Sequence, residues 1–192
     1  SESAQSGRVV FYDVVRAPRS FNTRGNATWR RYLYLVPLIG PSAAQLDVDS
    51  VHKIFQHIEG KELGYDAFAF GPLRNKGNGL LDLCTLYRSR AFTVDVPVAG
   101  VRDGAGPSSV KALCVELVGS RFLRRMVRLL VGTAVREALK PVEERDHTII
   151  EQICLSRDRS RTSYPFPGSG LAFAGCGFNY RELAYYKFIS KA

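Results

Sequence analysis

The chain has 192 residues, 45% of them apolar and 23% charged, which is the composition of a folded globular protein and excludes a disordered one. Its formal net charge of +9, from 27 Lys and Arg against 18 Asp and Glu, favours a polyanionic partner such as RNA or DNA. The apolar runs are short and broken by charge, so no membrane span is expected, and the opening SESAQSGRVV lacks the apolar core of a secretory signal.

In chain order, VVFYDVV (Val9 to Val15) is a short β-rich run ended at Pro18. TWRRYLYLV (Thr28 to Val36) alternates Tyr32, Tyr34 and Val36 on one face with Arg31, Leu33 and Leu35 on the other, and Pro37 and Pro41 close it. An amphipathic helix follows, capped by Asp47 or Asp49, with Val51, Ile54, Phe55 and Ile58 as its buried stripe and Gly60 at its end. His52 and His57 fall on its polar side. The loop Gly71 to Gly79 leads to strands near Leu81 to Tyr87 and Ala91 to Val98, and Gly100 to Ser109 is a turn region.

KALCVELVG then reads as a strand running straight into a helix that opens with RFLRRMVRLLVGT, Arg121 to Thr133. At helical spacing Arg121, Arg124, Arg125 and Arg128 form one stripe, with Arg136 two turns on, opposite Phe122, Leu123, Met126, Val127, Leu130 and Val131. Solvated faces mix signs, whereas this one sets five arginines against a single acid, Glu137. Either the helix is simply basic, or it docks on a core and shows its arginines to an anion, for which the guanidinium fork is well shaped. Lys140-Pro141 stops it, a second helix spans roughly Glu143 to Leu155, and GLAFAGCGFNY (Gly170 to Tyr180) is a last strand. The whole is an α+β chain with a mostly antiparallel sheet and helices packed on one face, read as one domain over 1–192.

Cys84, Cys114, Cys154 and Cys176 include no CxxC pair and read as reduced, mostly buried thiols, which suits a reducing intracellular compartment: cytoplasm, nucleus or organelle. With no HExxH and no Cys/His cluster, no metal site is expected. GxGxxG, GxxxxGK[ST] and GxSxG are all missing from the sequence. Asp82 and Asp95 read as outward strand residues, and Asp158, between Arg157 and Arg159, as a local ion-pair partner.

Four segments together resemble one family. RFLRRMVRLLVGTAVREAL (Arg121 to Leu139) is similar to the F-x-x-x-M-V-R-x-x-x-G segment of the TruA-type tRNA pseudouridine synthases. SFNTRGNATWRRYLYLV (Ser20 to Val36) resembles the S-F-x-A-R…R-x-Y-x-Y segment, and GYDAFAF (Gly64 to Phe70) the glycine–aromatic motif after the first long helix. IIEQICLSRDRSRTSYPFPGSGLAF (Ile149 to Phe173) resembles the helix, Asp-Arg pair and Gly-Leu strand that close the family's fold. They stand in family order from Ser20 to about Tyr180.

The resemblance implies a pseudouridine-synthase-like fold and a tRNA-modifying isomerase that uses no cofactor and no metal. Uridine is flipped out of its stem, its N-glycosidic bond is cut, and the uracil is rejoined through C5. It implies that Arg128 holds a catalytic aspartate ionised and oriented, and that Tyr32 stacks on the uracil or takes the C5 proton, with Tyr34 second. Leu171 would pack against the base. Tyr32 and Tyr34 also read as plain core aromatics, and Leu171 as core alone. Arg121, Arg124 and Arg125 are candidate RNA-backbone contacts, which set affinity and salt dependence, not site choice. The expected partners are tRNA and a second copy in a homodimer.

The family's catalytic aspartate lies in a G-R-T-D-A-G-V-H-type motif that has no counterpart in this sequence. The chain is therefore expected to be the carboxy-terminal half of such an enzyme, inactive alone, with the aspartate upstream of Ser1. The alternative expectation is a non-catalytic RNA-binding or assembly module on a synthase scaffold, such as an organellar ribosome component.

Overall fold

A computed structural model describes residues 17–41, 45–71, 83–97 and 109–178. The Val9 to Val15 run, Asp82, residues 72–79 of the first loop and 100–108 of the second lie outside them. The chain divides into two units, Trp29–Cys176 and one made of its two ends, of which 17–28, Gly177 and Phe178 are described. In the end unit Asn22 organises a turn: its side-chain oxygen accepts from the amides of Arg24 (2.9 Å) and Gly25 (3.0 Å), and its own amide donates to Asn26 Oδ1 (2.7 Å). Phe21 meets Phe178 edge-on at 5.1 Å.

Five described strands, β1 (Ala27–Pro37), β2 (Glu62–Gly64), β3 (Leu83–Pro97), β4 (Ser109–Gly119) and β5 (Leu171–Phe178), form an antiparallel sheet in the order β2-β3-β4-β1-β5. Three described α-helices accompany it: α1 (Val48–Ile58), α2 (Met126–Ala138) and α3 (Ile149–Ser156). Tyr34 pairs with Val115 and Tyr32 with Leu117. Because paired residues share a face, this row and Leu113 join Ile54, Phe55, Leu130 and Ile153 of the helices in one core. The α+β class and the helix-covered face follow the sequence pattern.

Apart from the start of α2, two boundaries differ from the sequence reading. The strands expected on either side of Arg88 are one strand, β3, with a bulge between Leu86 and Arg88. Cys84 and Leu86 face inward before it, Ser89 and Ala91 after it, so the extra residue switches the inward parity from even to odd. The second late helix begins only at Ile149, after a 3-10 turn at Val142–Glu144. There the chain leaves helical geometry to serve Glu137, buried on α2, which accepts from the Asp146 amide (2.9 Å) and Lys140 Nζ (2.8 Å). Asp146 then holds Thr148 through its amide (2.8 Å) and hydroxyl (2.6 Å).

Helix α1 seals the edge that β2 leaves open on β3. Glu59 accepts from the Ser89 amide (2.8 Å), and His52 Nδ1 from the Ala91 amide (3.3 Å), so donors that would otherwise invite another strand are occupied. His57 and Lys61 both reach Glu151 on α3, at 2.5 and 2.8 Å, which ties the two helices together and keeps the Glu151 carboxyl below its ordinary range.

Asp47 is the cap of α1. Its Oδ1 accepts from the amides of Asp49 and Ser50, and Oδ2 meets the Arg145 guanidinium at 2.5 Å. The Ser50 amide bond first of all holds the Asp47 carboxyl below its ordinary value of 3.8. A group lowered on folding stabilises above its unfolded pKa, and that stabilisation is lost as pH falls through the folded value. Asp47→Ala is therefore expected to cost about 1–2 kcal/mol at neutral pH. In urea titrations the difference should shrink as pH falls below the ordinary carboxyl value of 3.8 and through the lowered folded value.

Candidate functional site

Eleven of the thirteen residues of α2 are buried; Arg128 and Arg136 are the exceptions. They stand with Gly132 on one line of the helix, at i, i+4 and i+8. Residues 161–166, which follow α3, lie along that line. Arg136 donates to the Arg161 carbonyl (2.5 Å), the Ser163 amide donates to Thr133 Oγ1 (3.0 Å), and Arg128 Nε donates to the Phe166 carbonyl. In return the Phe166 amide donates to the Arg128 carbonyl at 3.2 Å. A Cβ on Gly132 would sit 2.2 Å from Ser163 Oγ and 2.9 Å from the Tyr164 carbonyl oxygen, so the glycine is what lets the two backbones meet.

This geometry corrects the expected arginine stripe. The helix starts at Met126, not Arg121. Arg125 precedes it in the left-handed region, with φ 63°, and the Arg124 carbonyl accepts from the Phe70 amide (3.0 Å). Pairing with the Phe70 segment takes the carbonyl that a helix would have used internally. Arg121, Arg124 and Arg125 therefore belong to the approach to the helix, while Arg128 and Arg136 grip backbone.

The same crossing segment leads to Tyr34. Its ring is 2% exposed, and its hydroxyl donates to the Pro167 carbonyl at 2.5 Å. Burial raises the Tyr34 pKa, and the nearby Arg128 guanidinium opposes that in part. At Gly170 an added Cβ would lie 2.5 Å from the Leu35 carbonyl oxygen and 2.8 Å from the Tyr34 ring, so the loop can only press on β1 with glycine there. Leu171 follows at once as the first residue of β5, half-buried against the core. Arg128, Tyr34 and Leu171 are thus assembled around one loop, 166–171. Among the described residues Arg128 makes no ion pair, and α2 has neither a side-chain cap nor an acid in its first turn.

Tyr32 lies two residues along the same face, in another setting. Phe122 meets its ring edge-on at 4.9 Å and Phe173 at 5.4 Å. The sequence puts Phe122 on the apolar arc of the arginine helix, not beside Tyr32, and does not single out Phe173, although Phe173 alternates with Leu171 in GLAFAG and so shares its face. Beside Tyr34 a groove of about 640 Å³ is walled by Val36, Val96, Val110 and Phe166.

The remaining candidates are structural. Among the described residues no group of three or more His, Cys, Asp and Glu could hold a metal ion. All four cysteines are free thiols; Cys84, Cys114 and Cys154 are buried, and burial pushes Cys154 up to about 12. Asp158 is a turn cap, its carboxylate accepting from the Ser160 amide (2.9 Å) and hydroxyl (2.6 Å), while Arg159 donates to the Ala69 carbonyl. No helix is long and apolar enough to cross a membrane among the described residues.

No protein-family model and no curated protein matches the chain.

Gly132→Ala separates local preference from packing. Alanine favours a helix over glycine by about 1 kcal/mol, yet overpacking against Ser163 and Tyr164 costs about 1–3 kcal/mol. The expected result in thermal melts is net destabilisation; an unchanged or raised midpoint would mean that the crossing segment does not lie on α2.

Proposed function

We propose that this chain is the carboxy-terminal, substrate-facing half of a tRNA pseudouridine synthase. The observation that carries the reading is Arg128. Its guanidinium is aimed by the Phe166 carbonyl, is near enough to Tyr34 to oppose the rise of its pKa, and meets no described carboxylate. Only Nε is engaged by that bond, so the terminal nitrogens remain for a second acceptor. They sit at the positive, uncapped end of α2, where a carboxylate is favoured by the helix dipole as well as by the arginine. An aspartate arriving from upstream of Ser1 would be held ionised in such surroundings, as attack on or stabilisation of the sugar centre requires.

The chemistry is an isomerisation. The N1–C1′ bond of uridine breaks, the uracil turns, a C5–C1′ bond forms, and the proton leaving C5 is balanced by one gained at N1. Water must be kept from the sugar centre between those steps, and the apolar walls around Phe166 and Leu171 suit that task. The two tyrosines divide on their settings. Tyr34 donates a hydrogen bond to the Pro167 carbonyl and is held neutral by burial, which fits a positioning residue that fixes the loop under Arg128. Tyr32, half-buried and framed by Phe122 and Phe173, fits the residue against the uracil, with Leu171 as the apolar contact on β5. The basic approach at Arg121, Arg124 and Arg125 would meet the tRNA backbone, and a homodimer remains part of the proposal.

Pseudouridine formation on unmodified tRNA, by the 192-residue chain and by the protein extended upstream, tests the reading. The chain alone should be inactive and the extended protein active. Arg128→Lys in the extended protein should lower turnover about a hundredfold, because a point charge cannot grip Phe166 and a carboxylate together. Turnover by the chain alone would place the nucleophile among its own aspartates and overturn the assignment. RNA binding without turnover in either form would favour the non-catalytic module.

A further inference from the structure

Phe70 follows the 3-10 turn Asp66–Phe68, and its ring is 40% exposed. Three guanidiniums gather on it: Arg125 at 3.8 Å from the ring centroid, Arg124 and Arg159 at 5.7 Å each. They come from two distant stretches, the approach to α2 and the turn after α3. Both are fastened, since the Phe70 amide donates to the Arg124 carbonyl (3.0 Å) and Arg159 donates to the Ala69 carbonyl. The ring face offsets some of the mutual repulsion. Carboxylates offset none of it through an ion pair among the described residues. The nearest acids in sequence make no ion pair with the three: Asp66 lies 4.0 Å from Arg157, its Oδ1 buried without a hydrogen-bond partner, and Asp158 holds Ser160. Three cations built onto one ring, with no described carboxylate in ion-pair contact with any of them, make an anion site.

A pocket of about 340 Å³ adjoins it, sharing Phe70 and Arg159 and rimmed by Ser160, Thr162 and Tyr164, the last 93% exposed. The hydroxyls of Ser160 and Thr162 donate inward, to Asp158 and to the Arg159 carbonyl, which leaves their lone pairs as acceptors for a ligand's donors. The pocket therefore offers cations for a phosphate, hydroxyl acceptors for sugar or base donors, and an exposed ring for stacking.

We propose that the Phe70 cluster grips one unpaired nucleotide of single-stranded RNA, with its phosphodiester on Arg125 and Arg159 and its base on Tyr164. The segment Tyr164–Phe166 joins this pocket to the Arg128 loop, so the nucleotide held here flanks the one delivered to Arg128. The proposal rests on the tRNA reading for the identity of that neighbour, whereas the anion site stands on its own residues.

The test is binding of the 192-residue chain to a labelled single-stranded RNA, followed by fluorescence anisotropy over a salt series. The variants are Arg125→Asn with Arg159→Gln, asparagine being tolerant of the left-handed backbone, and separately Tyr164→Ala. The double variant should weaken binding at least about tenfold and flatten the salt slope by about 0.7 for each phosphate that is no longer neutralised. Tyr164→Ala should weaken binding at least about fivefold with the slope unchanged. Its ring is exposed, so it keeps the test valid should the double variant not fold. Unchanged affinity and slope in both variants would overturn the proposal, as would equal affinity for a phosphoserine peptide, or no RNA binding by the wild-type chain. Pseudouridine formation plays no part in this readout: binding that depends on the cluster upholds it even if the extended protein modifies no tRNA.

Discussion

The near-complete burial of helix α2 is the constraint from which the rest of the site follows. A helix buried on almost every side needs neighbours at contact distance all round, and the sheet, α1 and α3 leave one line open. Backbone fills it. Residues 161–166 run along Arg128, Gly132 and Arg136, and an irregular segment so placed must have its carbonyls satisfied. The two guanidiniums do that, and the glycine supplies the clearance. Once this segment is laid down, loop 166–171 is delivered against Tyr34, and β5 begins beside β1 at Leu171.

Positive charge in this chain consequently does two kinds of work. Arg136 is bound to a carbonyl, and Arg31 covers the buried Glu116 at 2.7 Å on the opposite sheet face. Arg124 and Arg125 lie over an aromatic ring instead. Arg128 is intermediate: one nitrogen is fixed by backbone, and the others are free to be oriented by that fixing. A guanidinium tethered at Nε loses less conformational freedom when it meets a carboxylate than one on a loose stem. The net charge of +9 says nothing of this division, which depends on who lies within hydrogen-bond reach.

Period-two alternation placed Tyr32 and Tyr34 on one face, and helical spacing with Asp47 and Gly60 placed α1, because those signals are local. The family-like segments led to Arg128, Tyr32, Tyr34 and Leu171; Arg128, Tyr34 and Leu171 lie about one loop, while Tyr32, put ahead of Tyr34, stands apart between Phe122 and Phe173. The start of α2 was not legible. Arg121 to Arg125 have sound helical spacing, and only the distant Phe70 amide, bonded to the Arg124 carbonyl, explains why they are not helical. The same holds for the late helix, which yields to the buried Glu137, and for Phe122 and Phe173, which meet Tyr32 from distant parts of the chain. Signals carried within a turn or two of chain could be read; those made by long-range contact could not.

The bulge in β3 bears on how this chain can drift in length. Arg88 and Arg90 point to the outer face only because one residue is added between Leu86 and Ser89. Straightening the strand with every residue kept would put the arginines in the apolar row under α1, and Ser89 and Ala91 outside. Losing the extra residue itself would instead leave Cys84, Leu86, Ser89 and Ala91 in plain alternation, all still inward. A one-residue loss between Leu86 and Ser89 is therefore a length change this strand can absorb, whereas a loss or gain of one residue elsewhere in it would turn one part of the strand over against the rest.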